Sequence, residues 1–491
     1  MTSRLAKNAF ILSVGSVIGS LSAFAFKTLI AQSFGPEQFG LFSLALMTVT
    51  ISAGVAGVGL PTGVTTFISR YRAVDDRAHI KGTASSGLLI GGVISVLVAG
   101  GLFLLAPAIA THIFQNSRLI RPIRILAFAI PGIVIVDLVV AIAMGFERAE
   151  YSVLIRQLGR RGSLIILAAL VILFGGVFVD LLYVYVVSTW IAVAMGGMLI
   201  FRLLDLSRSG ISSPSKSLLT FSVPLLFNNV TGTISNWIDT FLVGILITAE
   251  AVGEYQTAFL LGTNILIITG AVSASFLPEV ASLLEEGDRA ESTRRYRTAV
   301  KWTVIISFAP AVYLITFPEL SLRMLFGEAF GRGSTALIII VIGNMIAVVS
   351  GPATETVKSQ GHTRFIFATN AIALGANIVI NLLAIPRYGI AGAALGTAVA
   401  TLIANGSHWV AMRRWCGVTP SLSALWFIPP VAILSALASW SVVSHVDSVL
   451  LFLGHIALFS GIYVISLVVI DIATGNRLGF ISYLDEYIGR F

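Results

Sequence analysis

The sequence predicts an all-α polytopic membrane protein of about fourteen transmembrane helices, built as two pseudo-symmetric six-helix lobes with two further helices at the C-terminal end. Three observations predict it. Of 491 residues, 56% are hydrophobic and only 11% charged, with a mean hydropathy of +0.95; a soluble protein carries about 25% charged residues. Mainly apolar stretches of about 20 residues, the length that crosses a bilayer, recur from Ala9 to Ile472 with short polar breaks. The chain also resembles itself at a nearly constant offset.

Apolar runs bounded by turn and charge signals give segments 9–34, 39–60, 83–112, 119–146, 151–174, 177–201, 217–247, 250–278, 299–327, 334–357, 362–385, 388–412, 419–444 and 448–474. The first is too long for a signal-peptide core and lacks a small-residue cleavage site, so it reads as a retained helix. Lysine and arginine favour cytoplasmic loops. With the N-terminus inside, 24 of the 31 basic residues fall on the cytoplasmic side and 6 outside, which leaves Lys27 over. Both termini are therefore expected to be cytoplasmic, in a cell membrane. The three outer arginines Arg118, Arg121 and Arg124 are the main exception. The net charge of +8 is spread over these loops and forms no single basic face, so it does not point to nucleic acid.

The repeat aligns "EQFGLFSLA" (37–45) with "EAVGEYQTA" (250–258) at an offset of 213, pairing Gly40 with Gly253 and Phe42 with Tyr255. Pro61 falls near Pro278, and "GFER" (145–148) matches "GHTR" (361–364) at 216. Six helices, an even number, separate the copies, so the halves run parallel in the membrane. The expected organisation is an N-lobe at 1–201, a polar serine-rich linker at 202–217, a C-lobe at 218–412, and helices 13 and 14 with a tail at 413–491.

The polar residues inside these spans are the candidate site. Ser13, Ser16, Ser20 and Lys27 share one face of helix 1. The repeat sets Asn229, Thr233 and Thr240 against Ser16, Ser20 and Lys27, with Asn236 on the same face and Asp239 beside it. A charge at membrane depth is costly unless paired or wet, so Lys27 either lines a cavity or snorkels toward the nearer interface. Asp137 and Asp239 are intramembrane acids suited to carrying a coupling proton or to pairing with a cation. In helix 5, Ser152, Arg156, Arg160 and Ser163 share an α-helical face and Arg161 falls to the side. That stripe suits a phosphate or diphosphate, or equally the phosphates of bulk lipid. Asn370, Asn377 and Asn381 share a face of helix 11, fit for sugar hydroxyls or for bonds between helices.

The single cysteine, Cys416, excludes an internal disulfide and a cysteine-cluster metal site. The six histidines show no metal spacing, and the chain has no "GK" dipeptide, hence no Walker A loop. No outer loop is long enough for a catalytic domain, which counts against a membrane glycan polymerase or transferase. An enzyme is not expected, nor a cofactor.

"FKTLIAQSFGPEQFGLFSLAL" (26–46) resembles the helix 1 to 2 signature of Wzx-type polysaccharide flippases in the multidrug/oligosaccharidyl-lipid/polysaccharide exporter superfamily. "WIDTFLVGILITAEAVGEYQTAFLL" (237–261) is similar to the second-half signature, with Asp239 at its aspartate and Gly253-Glu254-Tyr255 at its glycine-x-tyrosine. "NIVINLLAIPRYGIAGAALGTAVA" (377–400) resembles the helix 11 to 12 signature through Asn381, Pro386, Gly389, Gly392 and Ala393. The resemblance implies a multidrug-exporter-like fold whose two lobes rock about a central cavity. It also implies transfer of a lipid-linked oligosaccharide to the outer leaflet. Its partners would be that substrate, membrane lipids and glycan-assembly enzymes. A lipid II type flippase and a multidrug or cation antiporter of the same superfamily are the alternatives.

Overall fold

A computed structural model describes residues 2–204, 214–267, 269–270, 272–273, 276, 283, 286, 288–419, 428–443, 446 and 448–473; it describes no side chain for 2–14, 16 and 227–229. The expected polar positions Ser13, Ser16 and Asn229 therefore have no described side chain, and Pro278 lies outside the described residues. The described chain is helical throughout, and its contacts divide it into two compact units, Met1–Gln256 and Thr257–Phe491.

The first unit begins with α1 (Thr2–Ala56), which is two helical arms joined at Gly35. Gly35 sits at φ 76°, a backbone region that costs an L side chain energy but not glycine. Pro36 then opens the second arm, where its missing N–H is no loss. The expected first and second spans are these two arms. Next come α2 (Leu60–Ala73) and α3 (Arg77–Ala108). The expected fourth span is a bent pair, α4 (Ile120–Ala127) and α5 (Ala129–Gly145), at 40°. The fifth is α6 (Ala149–Val153), a π-helical stretch Leu154–Gly162 and α7 (Ser163–Leu173) in direct succession. The unit closes with α8 (Phe178–Leu204), α9 (Ser215–Leu246) and the first half of α10 (Ala249–Thr263).

The second unit holds α11 (Arg289–Thr316), α12 (Pro318–Phe326), α13 (Ser334–Ser350), α14 (Ala353–Ser359), α15 (Thr363–Tyr388), α16 (Ile390–Ala411), α17 (Ile428–Trp440) and α18 (Val449–Ala473). The expected span 299–327 breaks at Phe317, where Pro318 starts a new helix. Tyr296, Val300, Val304, Val348, Val357, Met412, Cys416, Tyr463 and Leu467 form its core. Cys416 is buried there. His408 is held by the Thr354 and Thr369 hydroxyls on its two ring nitrogens, at 2.9 and 2.8 Å.

Among the described residues, eight helices are long and apolar enough to cross a membrane, or nine if the bent pair is one span. Their surfaces agree with that reading. The apolar stretch of α3 is only 17% buried, and Leu97, Leu104, Leu173 and Phe174 are widely exposed. Such faces suit acyl chains, which are as apolar as leucine, so the interior gains from close packing and satisfied polar groups more than from the hydrophobic effect.

The repeat is expressed as a contact inside the first unit. Gly40 and Gly253 each lie about one turn into the arm that follows their bend. A Cβ on Gly40 would fall 1.7 Å from the Ala249 carbonyl oxygen, and one on Gly253 would fall 2.0 Å from that of Pro36. The two copies thus meet backbone to backbone, reciprocally, and only glycine permits it. Phe39, Phe42, Leu44, Val252 and Tyr255 around the crossing are all but fully buried.

Two of the three exceptional arginines have local partners. Arg118 pairs with Glu37 on the second arm of α1, and the Arg124 guanidinium lies over the Phe103 ring at 5.1 Å, a favourable cation–π geometry. These contacts account for basic residues that the loop-charge rule does not.

Candidate functional site

Within the first unit, a cavity of about 330 Å³ opens among α1, α5, α8 and the π-helical stretch. Its wall includes Ser22, Phe26 and Lys27 from the first arm of α1, Phe42 and Leu46 from the second, Asp137 from α5, Arg156, Arg160 and Arg161 from the π-helix, Leu164 from α7 and Tyr185 from α8. Among the described lining residues four cations face one carboxylate, a net charge of +3.

Each arginine has one polar contact among the described residues. Arg156 donates to Asp137 Oδ1 at 2.9 Å, an ion pair whose side chains are 48% and 40% exposed. Arg160 donates to the Tyr185 hydroxyl at 2.6 Å, and its guanidinium lies 5.4 Å from the centre of that ring. Arg161 donates to Gln157 Oε1 at 2.9 Å. Among the described residues, Arg156 alone of the three has its charge offset by an anion. Since an arginine carries five N–H donors, one bond to each leaves most of the fork available to an incoming anion. Lys27 has no ion pair among the described residues, and it faces this space half-buried. Lys27 stands in the wall of this cavity.

Arg161 is the cavity residue that periodicity misplaced. Residues five apart stand about 140° apart around an α-helix, which turns Arg161 away from Arg156. Leu154–Gly162 is π-helical instead, and i→i+5 hydrogen bonding brings residues five apart onto one face. The stretch packs closely on α1: a Cβ on Gly15 would meet Val153, and one on Gly19 would meet Gln157 and Arg161. Nothing in the local sequence announces a π-helix. Tyr185 was missed because an aromatic residue in an apolar span gives no polar signal.

The chain matches the family model described as "Polysaccharide biosynthesis protein" over residues 5–284, more than half its length. It belongs to that family. A second family model, described as MatE, matches residues 224–383, and the two together place the chain in the superfamily that also holds multidrug exporters. Among curated relatives, the probable low-salt glycan biosynthesis flippase Agl15 of Haloferax volcanii is 22% identical over 425 residues, covering 82% of each chain. The lipid III flippase of Escherichia coli is 24% identical over 373 residues, covering 74% of this chain and 88% of its own. The fold is similar to that of the lipid II flippase MurJ in an inward closed conformation, with a TM-score of 0.74, 15% identity, and coverage of 95% of this chain and 99% of that one.

Asn236 and Asp239, in the same unit, are not among the described residues of the cavity wall. Asp239, the aspartate of the family's second-half signature, is 7% exposed and accepts a 3.0 Å hydrogen bond from Tyr255, the tyrosine of the same signature. Beside it, Thr240 accepts from Gln256. These bonds tie α9 to α10. Asn236 is exposed on α9. Asn377 and Asn381 are buried in the second unit, where Asn381 Nδ2 donates to Asn377 Oδ1 at 3.0 Å. A Cβ on Gly396 would sit 2.5 Å from Asn381 Oδ1, and one on Gly392 would sit 2.4 Å from the Ala384 carbonyl carbon. The helix 11 to 12 signature therefore describes a tight hairpin of α15 and α16 turned at Gly389, φ 60°.

Proposed function

We propose that this chain is a flippase that moves a lipid-linked oligosaccharide, joined through a phosphate or diphosphate, from the cytoplasmic to the outer leaflet for surface polysaccharide or glycoprotein assembly. The observation that carries the reading is the net +3 cavity lined by Lys27, Arg156, Arg160 and Arg161 within membrane-spanning helices. A sugar-phosphate head group cannot enter hydrocarbon without losing its hydration, and buried cations offset that loss for an anion. The acyl or prenyl tail needs no such help and stays in the bilayer.

In this reading the head group crosses by alternating access, between an N-lobe at 1–201 and a C-lobe at 218–412 joined by the linker 202–217, with 413–491 appended. Both termini lie in the cytoplasm of a cell that carries the protein in its cell membrane. The partners are enzymes that build the glycan on the inner face and those that use it outside. Lys27, Arg156 and Arg160 hold the phosphate. Asp137, already on Arg156, is the acid placed to couple transport to an ion. A cation antiporter is disfavoured by the sign of the cavity, which repels its cargo.

The test is deletion of the gene with analysis of lipid-linked intermediates, followed by complementation. Accumulation of an inward-facing lipid-linked oligosaccharide, and failure of Lys27→Ala to restore surface glycan while still reaching the membrane, are the expected results. Unchanged glycolipids in the deletion strain would overturn the proposal.

A further inference from the structure

The structure points to Arg161 as a further ligand-binding residue of the cavity, delivered there by the π-helical register of Leu154–Gly162 and admitted by the absence of a side chain at Gly19; this rests on the head-group reading above. Three features converge on it. The first is the register: in an α-helix, Arg161 would face about 140° away from Arg156, whereas the π-helix turns both toward the cavity. The second is the slot. A Cβ on Gly19 would lie 1.6 Å from Arg161 Nη1 and 2.4 Å from Gln157 Oε1, so the Arg161–Gln157 bond occupies the volume that any larger residue on α1 would fill. The third is charge. Arg156 is neutralised by Asp137, but Arg161 is held by a neutral amide. Arg161 therefore contributes a full positive charge, with donors left over for bidentate capture of a phosphate oxygen pair.

An inserted π turn in a helix is commonly kept where function needs a side chain re-aimed. Here it brings three arginines into one cavity wall where an α-helix would bring two. Gln157 is the positioning residue: it sits one turn before Arg161 and steers the guanidinium across Gly19.

The experiment uses the full chain in lipid nanodiscs and follows inorganic diphosphate binding by calorimetry at low salt. Arg161→Ala is expected to weaken binding about tenfold, the loss of one charge-assisted contact. Arg161→Lys should recover part of it, because a lysine keeps the charge but not the fork. Gly19→Val, which fills the slot, should reproduce the Arg161→Ala loss. Should it misassemble, the two Arg161 variants decide alone. Loss of binding in Lys27→Ala with wild-type binding in Arg161→Ala overturns the inference and leaves the head-group reading standing. Wild-type binding in both overturns the two together.

Discussion

Replacing Asp137 with asparagine tests whether this carboxylate limits how tightly the cavity holds an anion. The substitution keeps the shape and removes one negative charge, which raises the cavity from net +3 to +4. A phosphate docked on the far side of the Arg156 guanidinium would sit about 6 Å from the Asp137 carboxylate, a repulsion of roughly 2.8 kcal/mol at an effective dielectric of about 20. The Asp137 and Arg156 side chains are 40% and 48% exposed, so solvent screens much of this, and about 1 kcal/mol is the appropriate figure. Asp137→Asn is therefore expected to tighten inorganic diphosphate binding about fivefold. The gain should shrink as ionic strength rises toward 0.15 M, where the Debye length falls to about 8 Å. Calorimetric titration at two salt concentrations measures it. Transport should fall as binding tightens, because a site that holds its cargo too well releases it slowly. Weaker binding at low salt would refute the reasoning and show that Asp137 acts by orienting Arg156.

Two further outcomes follow from the geometry. Gly40→Ala and Gly253→Ala should each destabilise the protein by about 1–3 kcal/mol, despite the gain of about 1 kcal/mol in helix propensity, because the new Cβ meets backbone oxygen at 1.7 and 2.0 Å; thermal loss of the monodisperse peak in size-exclusion chromatography reads this, and wild-type stability would contradict the backbone crossing. At the start of α3, the His79 backbone N–H, and then the His79 side chain, hold the Asp76 carboxyl below its ordinary pKa. A depressed carboxyl stabilises the fold above its unfolded pKa and loses that contribution as pH falls through the folded one, so the protection factors of amides over 77–83, corrected for the intrinsic exchange rate at each pH, should fall in acid below the usual carboxylate range. Asp76→Asn, which still caps the helix, should show no such acid step.

Much of this was legible in the sequence because it depends on neighbours along the chain. The apolar runs marked the helices, and where the residues are described the expected segments lie on helices, with 119–146 bent and 299–327 broken at Phe317. The constant offset singled out Gly40 and Gly253, and the count of basic residues isolated Lys27 as the cation that topology leaves over. Asp239 and the asparagines were harder. A polar residue in a span reads the same whether it lines a cavity or bonds another side chain; Asp239 accepts from Tyr255 on α10, and Asn377 and Asn381 bond each other within α15.

The sequence by itself determined that this chain spans a membrane many times, that it is built from a repeated half, and that it carries a small set of charges hydrocarbon would not tolerate alone. Local composition and periodicity suffice for that, since every backbone polar group in a bilayer must be satisfied within its own helix. Only the tertiary structure decided which charges meet. Asp137 and Arg156 are neighbours because α5 packs beside the π-helical stretch, and Arg161 joins them because packing on Gly15 and Gly19 of α1 accompanies a register that local propensity does not choose. Contacts between helices carry no fixed spacing along the chain, so they become visible only once the helices are packed.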